Sequence, residues 1–372
     1  MTGATGTSRR SIPLFDLRVE QEDLDAVEAV YRSGRLAQGA EVEAFERAFA
    51  DQLGVRHGVA LSSCTAALHL AYVAAGIGPG DEVIVPAFTF AATSNAVLYC
   101  AGTPVFADVI GPHDLSIDPE HVAALITPRT KAVAAVHFGG YAAPVDRLAE
   151  LCEQHGLALI EDVAHAPSAW LGDRKLGSFG LAGAFSFFSN KVLPSGEGGL
   201  LATNDDRVAE VARARRSTAA FEDGTLGFNY RMDEPRAALL GSRLGRLEDD
   251  INQRRALVRR YREALAHLEG IVVPYTDEEV ETSSCYVMPL LLEELGRQSQ
   301  VRRTMREDFG VQTSLLYPSV HEFTAYRERF PGVSLPRTER ASRTEVTVPL
   351  FPHMTHDEQD RVVEALEAGL KA

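Results

Sequence analysis

The chain predicts an α/β protein: a large domain with a mostly parallel seven-stranded sheet flanked by helices, then a smaller C-terminal α+β domain. Short β-branched or apolar runs alternate with helical segments between residues 55 and 205. Several of these runs are apolar on both faces, as a sheet covered by helices on each side requires. A long helical stretch over 233–268 then precedes a change of pattern. The expected division is a large domain over 1–245, with an N-terminal arm, and a small domain over 246–372.

Seven runs read as strands: 58–61, 82–85, 104–107, 132–136, 157–161, 184–187 and 199–202. Between the first two, the alanine- and leucine-rich segment 65–75 is a strong helix former ending at Gly76, and Gly78-Pro79-Gly80-Asp81 turns the chain into the next strand. Such β-α-β alternation gives right-handed crossovers, and ligands of such sheets collect at the carboxyl ends of the strands. In the tail, 271–273 and 286–292 read as strands and 301–309 as a helix. No internal repeat or low-complexity tract interrupts the pattern.

Of 372 residues, 45% are hydrophobic and 24% charged, with a net charge of −15. Basic residues are scattered among acidic ones, which argues against nucleic acid or an anionic membrane as partner. The basic group Arg254, Arg255, Arg259 and Arg260 follows Glu248, Asp249 and Asp250 on a predicted helix and reads as a solvated face. Four dispersed cysteines form neither a disulfide framework nor a zinc-ligand spacing, so no metal is expected. Neither a signal peptide nor a membrane span is recognisable, and a cytoplasmic location is expected.

Chemistry concentrates around Lys191. It ends the run Ser186-Phe187-Phe188-Ser189-Asn190-Lys191, with Gly196-Glu197-Gly198-Gly199 behind it and Glu161-Asp162 upstream. Pyridoxal phosphate needs a lysine for its imine, an acid facing its ring nitrogen and donors around its phosphate. Asp162, at the carboxyl end of a central strand, suits the ring nitrogen. Ser62-Ser63-Cys64-Thr65 opens a helix whose exposed N–H groups suit a phosphate, and Ser186 could reach the same ligand. Phe90 is a candidate plate for one face of the ring, and His165 a neighbour of its phenolic oxygen or of Asp162. Each has a plainer reading taken singly: a surface lysine, a loop acid or helix cap, a Ser/Thr cap, a core phenylalanine, a structural histidine. Their combination favours the cofactor.

These motifs, with Ile12-Pro13-Leu14-Phe15, Val136-His137-Phe138-Gly139-Gly140, Gly227-Phe228-Asn229-Tyr230-Arg231-Met232, Tyr317-Pro318-Ser319-Val320-His321 and Pro349-Leu350-Phe351-Pro352, resemble the DegT/DnrJ/EryC1/StrS family of sugar aminotransferases nearly end to end. The resemblance implies pyridoxal phosphate fold type I and a homodimer with shared active sites. It implies that Lys191 forms the imine and Asp162 pairs with the ring nitrogen. Ser63, Cys64, Thr65 and Ser186 would surround the phosphate, and Asn229 would reach the phosphate in the neighbouring subunit. Phe90 and His165 would flank the ring, and Tyr317 and His321 would approach the sugar.

The implied reaction takes an amino group from glutamate or glutamine and gives it to a nucleotide-linked keto sugar, with dTDP-4-keto-6-deoxyglucose, aminated at C4, placed first. A C3-keto sugar, an inosose or a non-enzymatic sensor role are the alternatives; the related 3-dehydratases carry histidine where Lys191 stands. Two positions depart from the family pattern. Cys64 replaces a usual glycine, which would cost about 1 kcal/mol if the position required positive φ. Gly140-Tyr141 replaces an aromatic before glycine and is expected to reshape the substrate side.

Overall fold

The computed structural model describes residues 11–218 and 226–372. Its main sheet has seven strands: β1 (His57–Leu61), β2 (Glu82–Pro86), β3 (Thr103–Ala107), β4 (Thr130–Val136), β5 (Ala158–Asp162), β6 (Ala182–Ser186) and β7 (Gly199–Thr203). Their order is β1-β7-β6-β5-β4-β2-β3. Only β7 runs antiparallel to its neighbours. Every side chain of β2 and β7 is buried, as the two-sided apolar pattern of those runs requires.

The register brings functional positions together at one edge. Asp162 pairs with Val136 on one side and Ala184 on the other. Gly199, the first residue of antiparallel β7, pairs with both Leu61 and Ser186. The carboxyl ends of β1, β4, β5 and β6 therefore share an edge with the start of β7. The helix Cys64–Ala74 springs from this edge, and the Ser63 hydroxyl accepts the Ala66 N–H at its first turn.

A second sheet of three antiparallel strands, β8 (Ile271–Val272), β9 (Met288–Leu292) and β10 (Glu345–Val348), lies toward the C-terminus. Helices Gln298–Phe309 and His356–Lys371 pack on each other. Their apolar residues join a cluster that contains Ile12 of the N-terminal arm. Ile12 lies parallel to Val311, and Leu350 donates to the Leu14 carbonyl, so the first described residues are built into the C-terminal part.

Two expectations need correction. The stretch 233–268 is not one helix: it divides into Glu234–Leu244 and Leu247–Leu265. Gly245 is a weak helix former, and Arg243 and Arg246 both turn onto the buried carboxylate of Asp23. The second helix still spans two cores, with Leu247 and Ile251 in one and Leu257, Val258 and Tyr261 in the other. The basic group on it is also not wholly a solvated face. Arg254 is buried, donating to the carbonyls of Tyr286 and Leu350. Arg259 and Arg260 do pair at the surface, with Glu281 and Asp360.

Candidate active site

Asp162 ends β5 almost wholly buried. Its Oδ2 accepts the Thr93 hydroxyl at 2.7 Å and its Oδ1 the Ala164 N–H at 3.1 Å, with the Cys64 sulfur 3.9 Å from Oδ1. Burial pushes the carboxyl above its ordinary range, while the Thr93 and Ala164 bonds and the charges of Lys191 and His137 oppose that shift. Asp162 thus has two short donors and no ion-pair partner among the described residues.

Lys191 is held by a loop that closes on itself. Phe187 N–H donates to Gly198 O, Ser195 N–H to Phe187 O, and both the N–H and hydroxyl of Ser189 to Gly196 O. Gly196 makes the return at φ +92°, where an L side chain would be strained. The base of the loop is anchored by Phe187, packed edge-on against Phe45 and Phe49. Lys191 is half-buried, and its amine stands 4.5 Å from the centre of the Tyr286 ring. Burial lowers its pKa to about 8, against the pull of Asp162 and Cys64. An amine partly withdrawn from water without an ion-pair partner is costly to keep charged, and its neutral form is the nucleophile.

Gly199 shapes the approach to the helix start. A Cβ there would lie 2.2 Å from the Ser63 carbonyl carbon and 2.4 Å from the Cys64 nitrogen, so only glycine lets β7 run this close. The condition for strain at Cys64, a positive φ, is not met. Cys64 is the first residue of the helix and is not among the residues with positive φ. Its thiol fills space beside Asp162, and burial together with that carboxylate pushes its pKa well up, so it stays protonated.

His165 and Tyr317 meet on the same side. His165 Nε2 lies 2.9 Å from the Tyr317 hydroxyl, and the Gly139 N–H donates to Nδ1 at 3.3 Å. Burial holds the imidazole well below its usual range, so it is neutral. Phe90 leaves 61% of its surface exposed, with its ring 5.8 Å from Tyr317, and is therefore no core phenylalanine. Ser186 ends β6 half-buried and faces the Phe188 N–H at 3.5 Å. Thr65 follows Cys64 in the first helical turn, half-buried. Asn229 is exposed, carried between the stacked rings of Phe228 and Tyr230.

Two expectations fall elsewhere. His321 is buried with its Nε2 3.4 Å from Glu339 and its ring against Phe106, apart from the His165–Tyr317 contact. Tyr141 does not reshape the substrate side: it is buried in the second core, stacked on Tyr275 at 4.0 Å. Three residues of the site went unnoticed in the sequence. Thr93 binds Asp162; Tyr286 underlies the Lys191 amine; Phe15 stacks on Tyr286 at 5.5 Å. Phe15 stood in a recognised motif, whereas Tyr286 read as the start of a strand and Thr93 carried no signal of its own.

The chemistry of this edge fits pyridoxal phosphate: a half-buried amine of lowered pKa, a buried acid nearby, and a helix start approached closely by backbone. Fold and site together define a pyridoxal-phosphate-dependent aminotransferase. More narrowly, the chain belongs to the DegT/DnrJ/EryC1/StrS aminotransferase family, which it matches over residues 18–367. It is 36% identical to the spore coat polysaccharide biosynthesis protein SpsC of Bacillus subtilis (strain 168), over 97% of this chain and 96% of SpsC. It resembles the crystal structure of S. venezuelae DesV in complex with a ketimine intermediate, at 36% identity and a TM-score of 0.91 over 97% of this chain and 99% of DesV. DesI, solved in the presence of its TDP-sugar product, gives 32% identity and a TM-score of 0.87 over 96% of this chain and 92% of DesI. Among the described residues no helix is long and apolar enough to cross a membrane, and no cluster of His, Cys, Asp or Glu could hold a metal.

Proposed function

We propose that this aminotransferase makes an amino sugar from a nucleotide-linked keto-deoxysugar, with dTDP-4-keto-6-deoxyglucose as acceptor, C4 as the aminated carbon and glutamate or glutamine as donor. The observation that carries the reaction class is the half-buried Lys191 amine, close enough to Asp162 for each to shift the other's pKa. The TDP-sugar product of DesI supports a nucleotide-linked acceptor.

When bound, pyridoxal phosphate supplies an aldehyde and an electron-accepting ring. Asp162 faces the ring nitrogen as a carboxylate, its orientation fixed by Thr93 and Ala164. Ser63, Cys64 and Thr65, at the positive end of their helix, hold the phosphate with Ser186. Phe90 would lie against the ring, and His165 would sit beside it. Lys191 Nζ would hold the cofactor through its aldehyde and, when free, would act as the base and acid that moves the proton from the donor Cα to the cofactor. In the second half-reaction the same amine would carry a proton from the aminated cofactor to the sugar carbon that receives nitrogen. Tyr317 approaches the sugar.

The functional unit in this reading is a homodimer. Asn229 points outward, and Leu24, Tyr31, Tyr99 and Leu226 leave apolar surface exposed on the single chain, available for a second copy to cover. Four unpaired thiols accord with a reducing, cytoplasmic setting. The test offers the purified protein dTDP-4-keto-6-deoxyglucose, or its 3-keto isomer, with either donor. Mass and NMR analysis of the product is expected to place the amine at C4; no amine from the 4-keto sugar would overturn the C4 assignment. Sedimentation at enzyme concentrations should give twice the chain mass.

A further inference from the structure

Tyr317 comes to the site on a segment without regular structure, so something outside that segment must hold it. One residue before it, the Leu316 N–H donates to Glu345 Oε2 at 2.8 Å. Glu345 opens β10 with none of its surface exposed. Its other oxygen meets the Thr347 hydroxyl, and no cation lies within ion-pair distance among the described residues. A wholly buried carboxyl whose counter-charge, Arg302, acts only from beyond ion-pair distance is an expensive choice for packing alone.

The donor pattern beyond Tyr317 is directional. Because the Gly139 N–H donates to His165 Nδ1, the imidazole hydrogen sits on Nε2 and is given to the Tyr317 oxygen. The hydrogen of the Tyr317 hydroxyl is then left for a different acceptor. We propose that Glu345 is a positioning residue that pins Leu316 and so aims the Tyr317 hydroxyl, oriented by His165, as a fixed hydrogen-bond donor to an acceptor oxygen in the site. That oxygen belongs to the sugar or to the phenol of the cofactor. The inference rests on the site at Lys191 and Asp162 described above. Burial pushes the Glu345 carboxyl up to about 8, so near neutral pH it is largely the acid: the carbonyl Oε2 still accepts from Leu316, and the protonated Oε1 donates to the Thr347 hydroxyl oxygen. Burial also holds the Tyr317 phenol well above its usual range, which keeps it a donor.

The test is a double-mutant cycle on the holoenzyme with Glu345→Leu and Tyr317→Phe, and Glu345→Gln as the conservative rescue. Each single change is expected to lower kcat/KM for the sugar about tenfold, the scale of one lost hydrogen bond. The double variant should fall no further than Tyr317→Phe alone, and Glu345→Gln should stay within about twofold. Spectra of 15N-histidine protein, with and without cofactor, should show the His165 signals moving alike in Glu345→Leu and Tyr317→Phe. If Glu345→Leu fails to fold, Thr347→Val, which frees one carboxyl oxygen, should give a milder loss that again adds nothing to Tyr317→Phe. Losses that multiply in the double variant, or His165 signals unmoved by Glu345→Leu, would overturn the proposal and leave Glu345 a packing residue. A change in cofactor absorbance and in the amino-donor half-reaction of Tyr317→Phe assigns the oxygen to the cofactor; a loss confined to the sugar half-reaction assigns it to the sugar. Full activity in Tyr317→Phe beside an inactive Lys191→Ala would sink this inference alone. Activity surviving in Lys191→Ala would sink the site itself.

Discussion

Glu161 and Asp162 are neighbours on one strand, both buried, yet they sit in opposite circumstances. Glu161 accepts the N–H groups of Gly177, Phe179 and Gly180 at 2.7, 2.7 and 2.8 Å and faces His137 Nε2 at 3.2 Å. His137 Nδ1 accepts from Ala143, so its Nε2 hydrogen is directed at Glu161. Asp162, one residue on and therefore on the opposite face of the sheet, has one hydroxyl and one N–H, and its charge is opposed by burial. A carboxylate surrounded by donors serves the fold. One left with spare acceptor capacity beside the Lys191 amine is the one assigned to chemistry in the proposed reaction.

Substitutions should separate the two faces. Lys191→Ala, on the reactive face, is expected to cut transamination by about a thousandfold or more while circular dichroism and thermal unfolding stay near those of the parent. Asp162→Asn should lower kcat by about a hundredfold, the scale of one lost electrostatic partner. Glu161→Gln should behave inversely, unfolding about 3 kcal/mol more easily in urea because backbone donors lose a charged acceptor, with kcat of the folded fraction nearly kept. Equal effects of the two carboxylate changes on kcat would erase the distinction.

The pH dependence follows from the same contrast. In the folded, cofactor-free chain the Asp162 carboxyl holds its proton more tightly than in the unfolded chain. The stability this contributes is complete below the ordinary aspartate range and is lost as pH rises through the folded value. Asp162→Asn should therefore flatten the fall in urea midpoint between acid and neutral pH. For Lys191, lowered to about 8, the neutral amine grows as pH rises toward that value. Cofactor uptake by the cofactor-free protein, followed by absorbance, should accelerate up to about pH 8 and then level off. The smallest expected effect is that of Cys64→Gly. With no positive φ to relieve, it should cost about 1 kcal/mol or less for glycine in a first helical turn; a clear gain in stability would reveal strain at Cys64.

Much of this molecule is local enough to read from its residues. The seven strands and the helix behind Ser63 follow from two-sided apolar runs and a capped, alanine-rich segment. The Lys191 loop follows from glycines at fixed offsets, and Asp162 from its place at a strand end. Other features depend on what arrives from far along the chain. The break at Gly245 needed Asp23, and the burial of Arg254 needed the Tyr286 and Leu350 carbonyls. Tyr286, Thr93 and Phe15 joined the site only through partners distant in sequence, while Tyr141 turned away from it onto Tyr275.

The division has a physical cause. Periodicity, capping and turn chemistry act within a few residues, so the order of residues alone determined the sheet, its phosphate-suited helix start and the reactive amine. Burial, hydrogen-bond partners and pKa are properties of the space around a side chain. Which of two adjacent carboxylates is saturated and which is left reactive was therefore decided only when the strand was placed between its neighbours.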